Sequence, residues 1–368
     1  MRLYVSTLNC GKNTLGKNDH NTIKQLLANT DTTQAPYDLY ALGFQEYVPL
    51  SSLGDGKYFS KHLKNLSKSV VLYLNTLHNN VSYELVKYNY NGGLSLLVFA
   101  KASLAENIEC HLLNSRCGKF GSGLKGASLI RVQHTGSQFW AMNFVTSHLA
   151  ANEGFYNKRV ENIKYIMDDF NNQLGNPDFF NINNEHVLFF GDLNFRNTSL
   201  DSIDITENNC FIDQKGCEKD ELYKYLHESN YFKFNEFPVK FKPTFKYKEQ
   251  PHHDTEPQYV YNLKRIPSWC DRILLSKALF ESSIEHCYNS VPRSTPFLRA
   301  TDHQAVTLSL SYKPAFQSAA PPPALRHHLT PGYSMIDFFL KNAFTVYENK
   351  TVSLLVLVVV VALVLSKR

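Results

Sequence analysis

The chain lacks most of the devices that tie small exported domains together or power nucleotide chemistry. Its seven cysteines are an odd, scattered set without a CxxC pair, so neither a disulfide framework nor a zinc knuckle is implied. Met1 to Lys12 reads MRLYVSTLNCGK and has no long apolar core, which excludes a secretory signal peptide. The thiols are therefore expected reduced, with the bulk of the chain in the cytosol. No P-loop, no phosphocysteine loop and no internal repeat is recognised.

Charge is also sparse. Charged residues make up 19% of 368, and the net charge is +5. From Ser311 onward six basic residues face two acidic ones, a balance of +4, which leaves +1 for the rest. A field that weak does not suit a nucleic-acid partner, and an anionic ligand must be held by local clusters.

What the chain has in quantity is apolar surface, 43% hydrophobic and 13% aromatic. Eight short apolar runs read as strands: LYVSTLNCG, YDLYALGFQE, GLSLLVFAK, GASLIRVQH, FWAMNFVTSHL, VLFFGDLNF, CDRILLS and QAVTLSLSY. Helical spacing falls between them at Asp19 to Asn29, Tyr58 to Leu77, Glu153 to Leu174 and Glu218 to Ser229. Many strands with few helices between them favour an α+β sandwich over an alternating barrel. Strand-like sequence stops near Tyr312, so a domain is expected over 1–313.

Residues 314–332 are rich in proline and alanine and read as a linker. Residues 333–350 carry apolar positions at helical spacing and read as a juxtamembrane segment. Val352 to Leu365 holds one serine and no charge. The span 351–366 has sixteen residues, roughly 24 Å as helix, which suits a thin bilayer such as that of the endoplasmic reticulum. The alternative is a buried terminal helix or strand, but nothing remains in sequence to cover it. The run is expected to be a single-pass tail anchor with the domain facing the cytosol.

Polar residues gather at the ends of the strand-like runs: Asn9, Gln45 with Glu46, Ser147 with His148, Asp192 with Asn194, Asp302 with His303, and Asp271 in WCDRILL. Each alone reads as a turn or cap residue. Together they make one polar pocket if a sheet brings those ends to one edge. The set suits metal-assisted hydrolysis. A hard cation takes oxygen ligands, and Glu46 is the natural one. A carboxylate with a neighbouring amide, Asp192 and Asn194, can orient and deprotonate a water. A histidine held by a carboxylate can bind or protonate a phosphoryl oxygen.

The segments SHLAANEGFYNKR, FFGDLNFR, KFKPTFKYK, IPSWCDRILL and ATDHQAV resemble, in order and spacing, those of the inositol polyphosphate 5-phosphatases. The resemblance covers about residues 1 to 312, and with the terminal apolar run it extends to the small tail-anchored fungal branch of the endoplasmic reticulum. It implies a two-sheet, DNase I-like sandwich flanked by helices, Mg2+ dependence, and removal of the 5-phosphate from phosphatidylinositol 4,5-bisphosphate. It implies that Glu46, Asn9 and Asp302 serve the metal. Asp192 would activate the water and Asn194 position it, His148 and His303 would contact the phosphate, and Asp271 would pair with His303. Lys246, Arg265 and Phe245 would meet the 4-phosphate, Lys125 the 1-phosphate, and Arg159 would reach the pocket. A monomer acting on lipid, without nucleic acid, is expected.

Four positions depart from the family pattern: Phe245 stands for tyrosine, Leu263 for the lysine of some relatives, Leu124 for asparagine and Val160 for asparagine. None touches the water-activating set. Soluble inositol phosphates remain an alternative substrate. A nuclease would want a broad positive face, and a non-catalytic phosphoinositide scaffold would have lost Glu46, Asp192, Asn194 or His303.

Overall fold

All eight apolar runs fold as strands, and four more strands join them. The computed structural model describes residues 1–16, 19–27, 35–53, 55–78, 80–136, 139–176, 179–180, 185–199, 219–229, 233–250, 259–314 and 342. Among these, one six-stranded sheet runs in the order β11-β12-β1-β2-β4-β3. Its strands are β1 Arg2–Asn9, β2 Leu39–Gln45, β3 Tyr83–Asn91, β4 Leu94–Lys101, β11 Ser283–Ser290 and β12 Val306–Tyr312. The second sheet runs β5-β6-β7-β8-β10-β9. It is built from β5 Ile108–Arg116, β6 Gly126–His134, β7 Trp140–His148, β8 Val187–Asp192, β9 Phe234–Asn235 and β10 Asp271–Ser276.

The sheets pack face to face, as interior strands with apolar side chains on both faces require. Val5, Ala41, Leu96 and Leu308 of the first sheet share a core with Ile130, Phe144, Phe190 and Ile273 of the second. The sheets approach closely at Gly43, where an added Cβ would lie 2.5 Å from the Phe190 ring and 2.6 Å from Thr146 Oγ1. Only glycine fits there.

Helices cover the outer faces. Among them are α1 (His20–Leu26), α2 (Gly56–Leu77), the short α3 (Ala102–Ala105), α4 (Tyr156–Gln173) and α5 (Glu221–Glu228). The stripe Phe59, Leu63, Leu66, Val70 and Leu74 lays α2 on the first sheet. Ile163, Ile166, Met167 and Phe170 lay α4 on the second. Helix α2 starts two residues before the spacing suggests, because Asp55 caps it by accepting from the amides of Lys57 and Tyr58. Helix α4 starts at Tyr156 rather than Glu153, because Asn152 and Gly154 both take a φ of 77°.

Strand sense decides where the chemistry collects. Strands β1 and β2 are parallel, and β12 runs against β1. Strands β7 and β8 are parallel, and β10 runs against β8. The carboxyl ends of β1, β2, β7 and β8 and the starts of β10 and β12 therefore share one end of the sandwich. At the other end Tyr312 N donates to Met1 O, and the chain leaves through Lys313 and Pro314.

Among the described residues no helix is long and apolar enough to cross a membrane. The expected linker, juxtamembrane segment and tail anchor lie outside the described residues, apart from Pro314 and Asn342.

Candidate active site

The six polar strand ends meet at that shared end. Asn9 closes β1, and its Nδ2 donates to Asp192 Oδ2 across 2.9 Å, linking the two sheets. Its Oδ1 accepts from the Gly11 amide at 3.0 Å. His148 closes β7 opposite Asp192 of β8, with Nε2 3.1 Å from Asp192 Oδ2. His303 approaches the same oxygen from the loop before β12, its Nε2 at 3.7 Å. Asp271 opens β10 and holds the other face of that imidazole, Oδ2 to Nδ1, at 2.9 Å. Asp192, Asn194, His148, His303 and Asp271 are all buried.

Backbone shape fixes the strand ends. Gly191 has a φ of 141°, and an added Cβ there would lie 2.0 Å from Ser147 O. The strand turns sharply after it, and Asn194 takes a φ of 57°. The Asn194 amide donates to Asp192 Oδ1 at 3.1 Å, and its Nδ2 donates to Leu149 O at 3.3 Å. Glu46 follows β2 with a φ of 46°. Asparagine tolerates the left-handed region, and glutamate adopts it at some cost.

Electrostatics separate the groups by role. Burial opposes charge on Asp192, yet His303, His148 and Lys125 outweigh it and hold the carboxyl well below the usual range. Burial also opposes charge on His303, but Asp271 and Asp192 lift it to about 9. His148 goes the other way: burial and Lys125 lower it, against the pull of Asp192 and Glu46. At neutral pH the cluster holds an ionised Asp192, a protonated His303 and a neutral His148.

Asp192, Asp271 and His303 bring metal-ligand atoms within 4.8 Å of one another. Asp271 Oδ2 and His303 Nδ1 already face each other at 2.9 Å, so the two read as a hydrogen-bonded pair. The hard-oxygen side of the cluster is Glu46 with the Asn9 amide oxygen. Glu46 is half-buried and acts electrostatically on Lys125 and His148; its carbonyl accepts from the Lys12 amide, while its carboxylate has no hydrogen bond or ion pair among the described residues. A carboxylate beside a polar cleft and spoken for by no side chain fits a divalent cation.

The expected substrate contacts divide. Lys246 and Phe245 are at the site: Lys246 Nζ lies 2.8 Å from Asp302 Oδ2, and the Phe245 ring lies 4.6 Å from the His303 ring. Asp302 is thus engaged by Lys246, which with His303 holds its carboxyl below the usual range against burial. Lys125 is closer to the chemistry than a distant 1-phosphate contact would be. Its Nζ abuts His148 Nε2, and burial lowers it against the pull of Asp192 and Glu46. Arg265 stands at the rim, with Nη2 donating to Asn152 Oδ1 at 3.2 Å and Nη1 3.5 Å from Glu153.

Arg159 does not face the cleft. It is fully buried, donates to the carbonyls of Ala150 and Asn152, and pairs with Glu221 at 2.5 Å. It ties the loop after His148 to α5 and offers a ligand no surface.

Sequence reasoning missed three supporting residues. Thr244 donates to Asp271 Oδ2 at 2.7 Å, Thr301 donates to Asn9 O at 2.8 Å, and Arg196 donates to Asn194 O at 3.1 Å and also to Asn194 Oδ1. Arg196 follows GDLNF directly, so it was within reach; the threonines carry no local signal.

Two stretches do have phosphocysteine spacing, Cys110 to Arg116 and Cys287 to Arg293. Both cysteines lie in extended strands, β5 and β11, where no loop of amides can curl around a thiol. Burial lifts Cys110 to about 11, so its thiol is protonated. A cavity of about 280 Å³ lined by Arg2, Tyr37 and Cys287 lies at the far end of β1, away from these groups.

Comparison with known proteins supplies an independent view. The family described as Endonuclease/Exonuclease/phosphatase family 2 matches residues 6–309. Inositol-1,4,5-trisphosphate 5-phosphatase 1 of Schizosaccharomyces pombe is 29% identical over 278 residues, 73% of this chain and 24% of its own length. The type II inositol 1,4,5-trisphosphate 5-phosphatase of Mus musculus is 26% identical over 286 residues, 74% of this chain and 26% of its own. The chain thus spans about a quarter of these relatives. The inositol polyphosphate 5-phosphatase domain of SPsynaptojanin, solved with inositol (1,4)-bisphosphate and calcium, superposes with a TM-score of 0.66 at 24% identity, covering 84% of this chain and 83% of that one. Cimex nitrophorin shares the architecture too, with a TM-score of 0.58 at 17% identity over 84% of this chain and 97% of its own. Fold alone therefore does not settle chemistry, and the side chains at the strand ends must.

Proposed function

The chain belongs to the Endonuclease/Exonuclease/phosphatase family 2, and from that premise we propose that it is a divalent-metal-dependent inositol polyphosphate or phosphoinositide 5-phosphatase. One observation carries the reading. Two histidines converge on one oxygen of the ionised Asp192, at 3.1 and 3.7 Å, with Asn9 bonded to the same oxygen. The 5-phosphatase relatives and the neighbour holding inositol (1,4)-bisphosphate support the substrate class.

Glu46 and the Asn9 amide oxygen would hold the ion, Mg2+ by their hard-oxygen character. When bound, it neutralises charge on the phosphoryl oxygens. Asp192, kept ionised, accepts a hydrogen bond from the attacking water and takes its proton. Asn194, fixed by Arg196 and Leu149 O, aligns that water. Water oxygen bonds to phosphorus in line with the departing inositol oxygen, the phosphorus–oxygen bond to the ring breaks, and the ring oxygen leaves as a hydroxyl with a proton taken from a solvent water. His303, cationic and aimed by Asp271, donates to a phosphoryl oxygen as charge develops there. Lys125 and His148 line the same wall. Lys246 and Arg265 exchange their internal partners for a second phosphate of the substrate, and Phe245 packs beside it.

The finer reading is phosphatidylinositol 4,5-bisphosphate in a membrane, cleaved by a monomer anchored through residues 351–366 in the endoplasmic reticulum with its domain in the cytosol. The uncharged terminal run supports it. The test is phosphate release by the full chain from short-chain phosphatidylinositol 4,5-bisphosphate, phosphatidylinositol 4-phosphate and inositol 1,4,5-trisphosphate, with magnesium and with chelator. Activity that persists in chelator overturns the mechanism, and equal release from the 4-phosphate lipid overturns the positional claim. Deleting residues 351–366 makes the protein extractable from membranes by high salt and leaves turnover of the soluble substrate intact; a truncated protein that resists salt extraction rules out the anchor.

A further inference from the structure

We infer that the lip of the catalytic cleft formed by residues 152–155 and 259–265 is a docking surface for an anionic lipid bilayer, with Phe155 and Leu263 as its apolar contacts. This rests on the phosphoinositide reading above and adds how the enzyme meets its substrate. Most exposed apolar side chains stand singly and need no explanation. These do not stand singly. Leu263 is 64% exposed, Phe155 50%, Tyr259 45% and Val260 41%. Tyr259, Val260 and Leu263 lie within five residues, and Phe155 belongs to the loop that Arg265 clasps.

The two loops form one rigid edge. Arg265 reaches from beside Leu263 to Asn152 Oδ1 and Glu153, two to three residues before Phe155. Asn152 and Gly154 both take a φ of 77°, which turns the chain so that Phe155 projects from it. Arg159 braces the same loop from beneath through the Ala150 and Asn152 carbonyls. On the other side, Asn262 N donates to Lys246 O and Lys248 N to Val260 O, so the segment with Leu263 is laced to the extended segment that carries Lys246. A rigid edge keeps its apolar side chains in water without collapse, an arrangement that lowers the ordering cost of contact.

Charge and place give the partner. Lys248 and Lys264 are exposed on this lip and pair with no acid among the described residues, whereas Lys246 and Arg265 are partly exposed and paired with Asp302 and Glu153; Glu249 and Glu161 are the other described acids nearby. Cations that flank projecting leucine and phenylalanine match a surface with anionic headgroups over an acyl layer. The lip adjoins His303 through Phe245, so a bilayer seated on it presents a headgroup phosphate to the cleft. A protein partner in this position would close the mouth.

The full chain is the test material. Phe155→Ser with Leu263→Ser should lower hydrolysis of phosphatidylinositol 4,5-bisphosphate in phosphatidylcholine–phosphatidylserine vesicles about tenfold, at lipid below saturation, and leave hydrolysis of soluble inositol 1,4,5-trisphosphate within about twofold. A vesicle rate within twofold of the unaltered chain overturns the inference, as does an equal fall on both substrates. Phe155→Trp gives a readout that does not depend on turnover. Its fluorescence should shift to the blue and be quenched by brominated lipid on vesicles containing phosphatidylserine, since Trp140 and Trp269 are buried. Absence of quenching overturns the inference even where the enzyme is active. Quenching in a chain that hydrolyses neither substrate retains the docking surface and removes the proposed function.

Discussion

His303 is held between two carboxylates, Asp271 Oδ2 2.9 Å from its Nδ1 and Asp192 Oδ2 3.7 Å from its Nε2. Those charges raise it to about 9 in the folded chain against 6.5 unperturbed. A raised histidine gives stability that is complete below the unfolded value and lost as pH climbs through the folded one. Thermal unfolding midpoints should therefore fall between about pH 6.5 and 9, and the basic limb of the rate profile should lie near the upper value. Asp271→Asn should move that limb toward neutrality and lower kcat. An unmoved limb would assign it to another group.

Asp192 is ionised and lies in contact with Asn9, His148 and His303. Asp192→Asn should lower kcat by about 10²–10⁴-fold, the usual worth of a positioned base, with a smaller change in KM. Steady-state kinetics on the soluble headgroup decide it; a loss under tenfold removes Asp192 from the base role.

Glu46 is the carboxylate that no described side chain engages. Glu46→Gln should raise the magnesium concentration for half-maximal rate by at least about tenfold, since the ion loses the unengaged carboxylate oxygen beside Asn9. Magnesium titration of the variant measures it, and an unchanged midpoint would place the ion elsewhere.

Arg159 separates a structural from a ligand role. Its partner Glu221 is largely shielded beside it, with 10% of its side chain exposed, and the pair spans 2.5 Å. Arg159→Met strands that carboxylate and should cost about 3–5 kcal/mol of stability, read by denaturant unfolding. KM of the folded fraction should stay within about twofold. A raised KM at unchanged stability would return Arg159 to the substrate.

Gly43 tests the packing between sheets. Gly43→Ala drives a methyl into the Phe190 ring and Thr146, an overpacking that costs about 1–3 kcal/mol. The unfolding midpoint should drop while magnesium dependence stays the same.

How much of this was legible follows the sheets. The eight strands read from sequence are the eight interior ones, and the four that were missed, β3, β5, β9 and β11, are the four sheet edges. Interior strands are covered on both faces and spell apolar runs, whereas edge strands carry charge that blunts pairing. SIEHCYNS of β11 and IECHLLNSR of β5 have no uninterrupted run to read. The site was legible for the same reason: its residues punctuate interior strands. Arg159 misled because a motif position does not say which way a side chain turns. The nearness of Lys125 to His148 was not legible because it arises from the register of β6 on β7, in which Gly126 lies opposite His148.

The chain leaves the sandwich beside Met1, at the end of β12 opposite the catalytic residues. Strand β1 runs eight residues from there to Asn9, a height of about 23 Å. Whatever holds the chain beyond residue 314 thus holds the domain by its base, like a lamp on a stalk. A stalk shorter than that height aims the mouth away from its own attachment, toward whatever surface stands across the gap. Only a longer one lets the domain bow back to the surface it grew from, so the length of the connection sets which surface the cleft can serve.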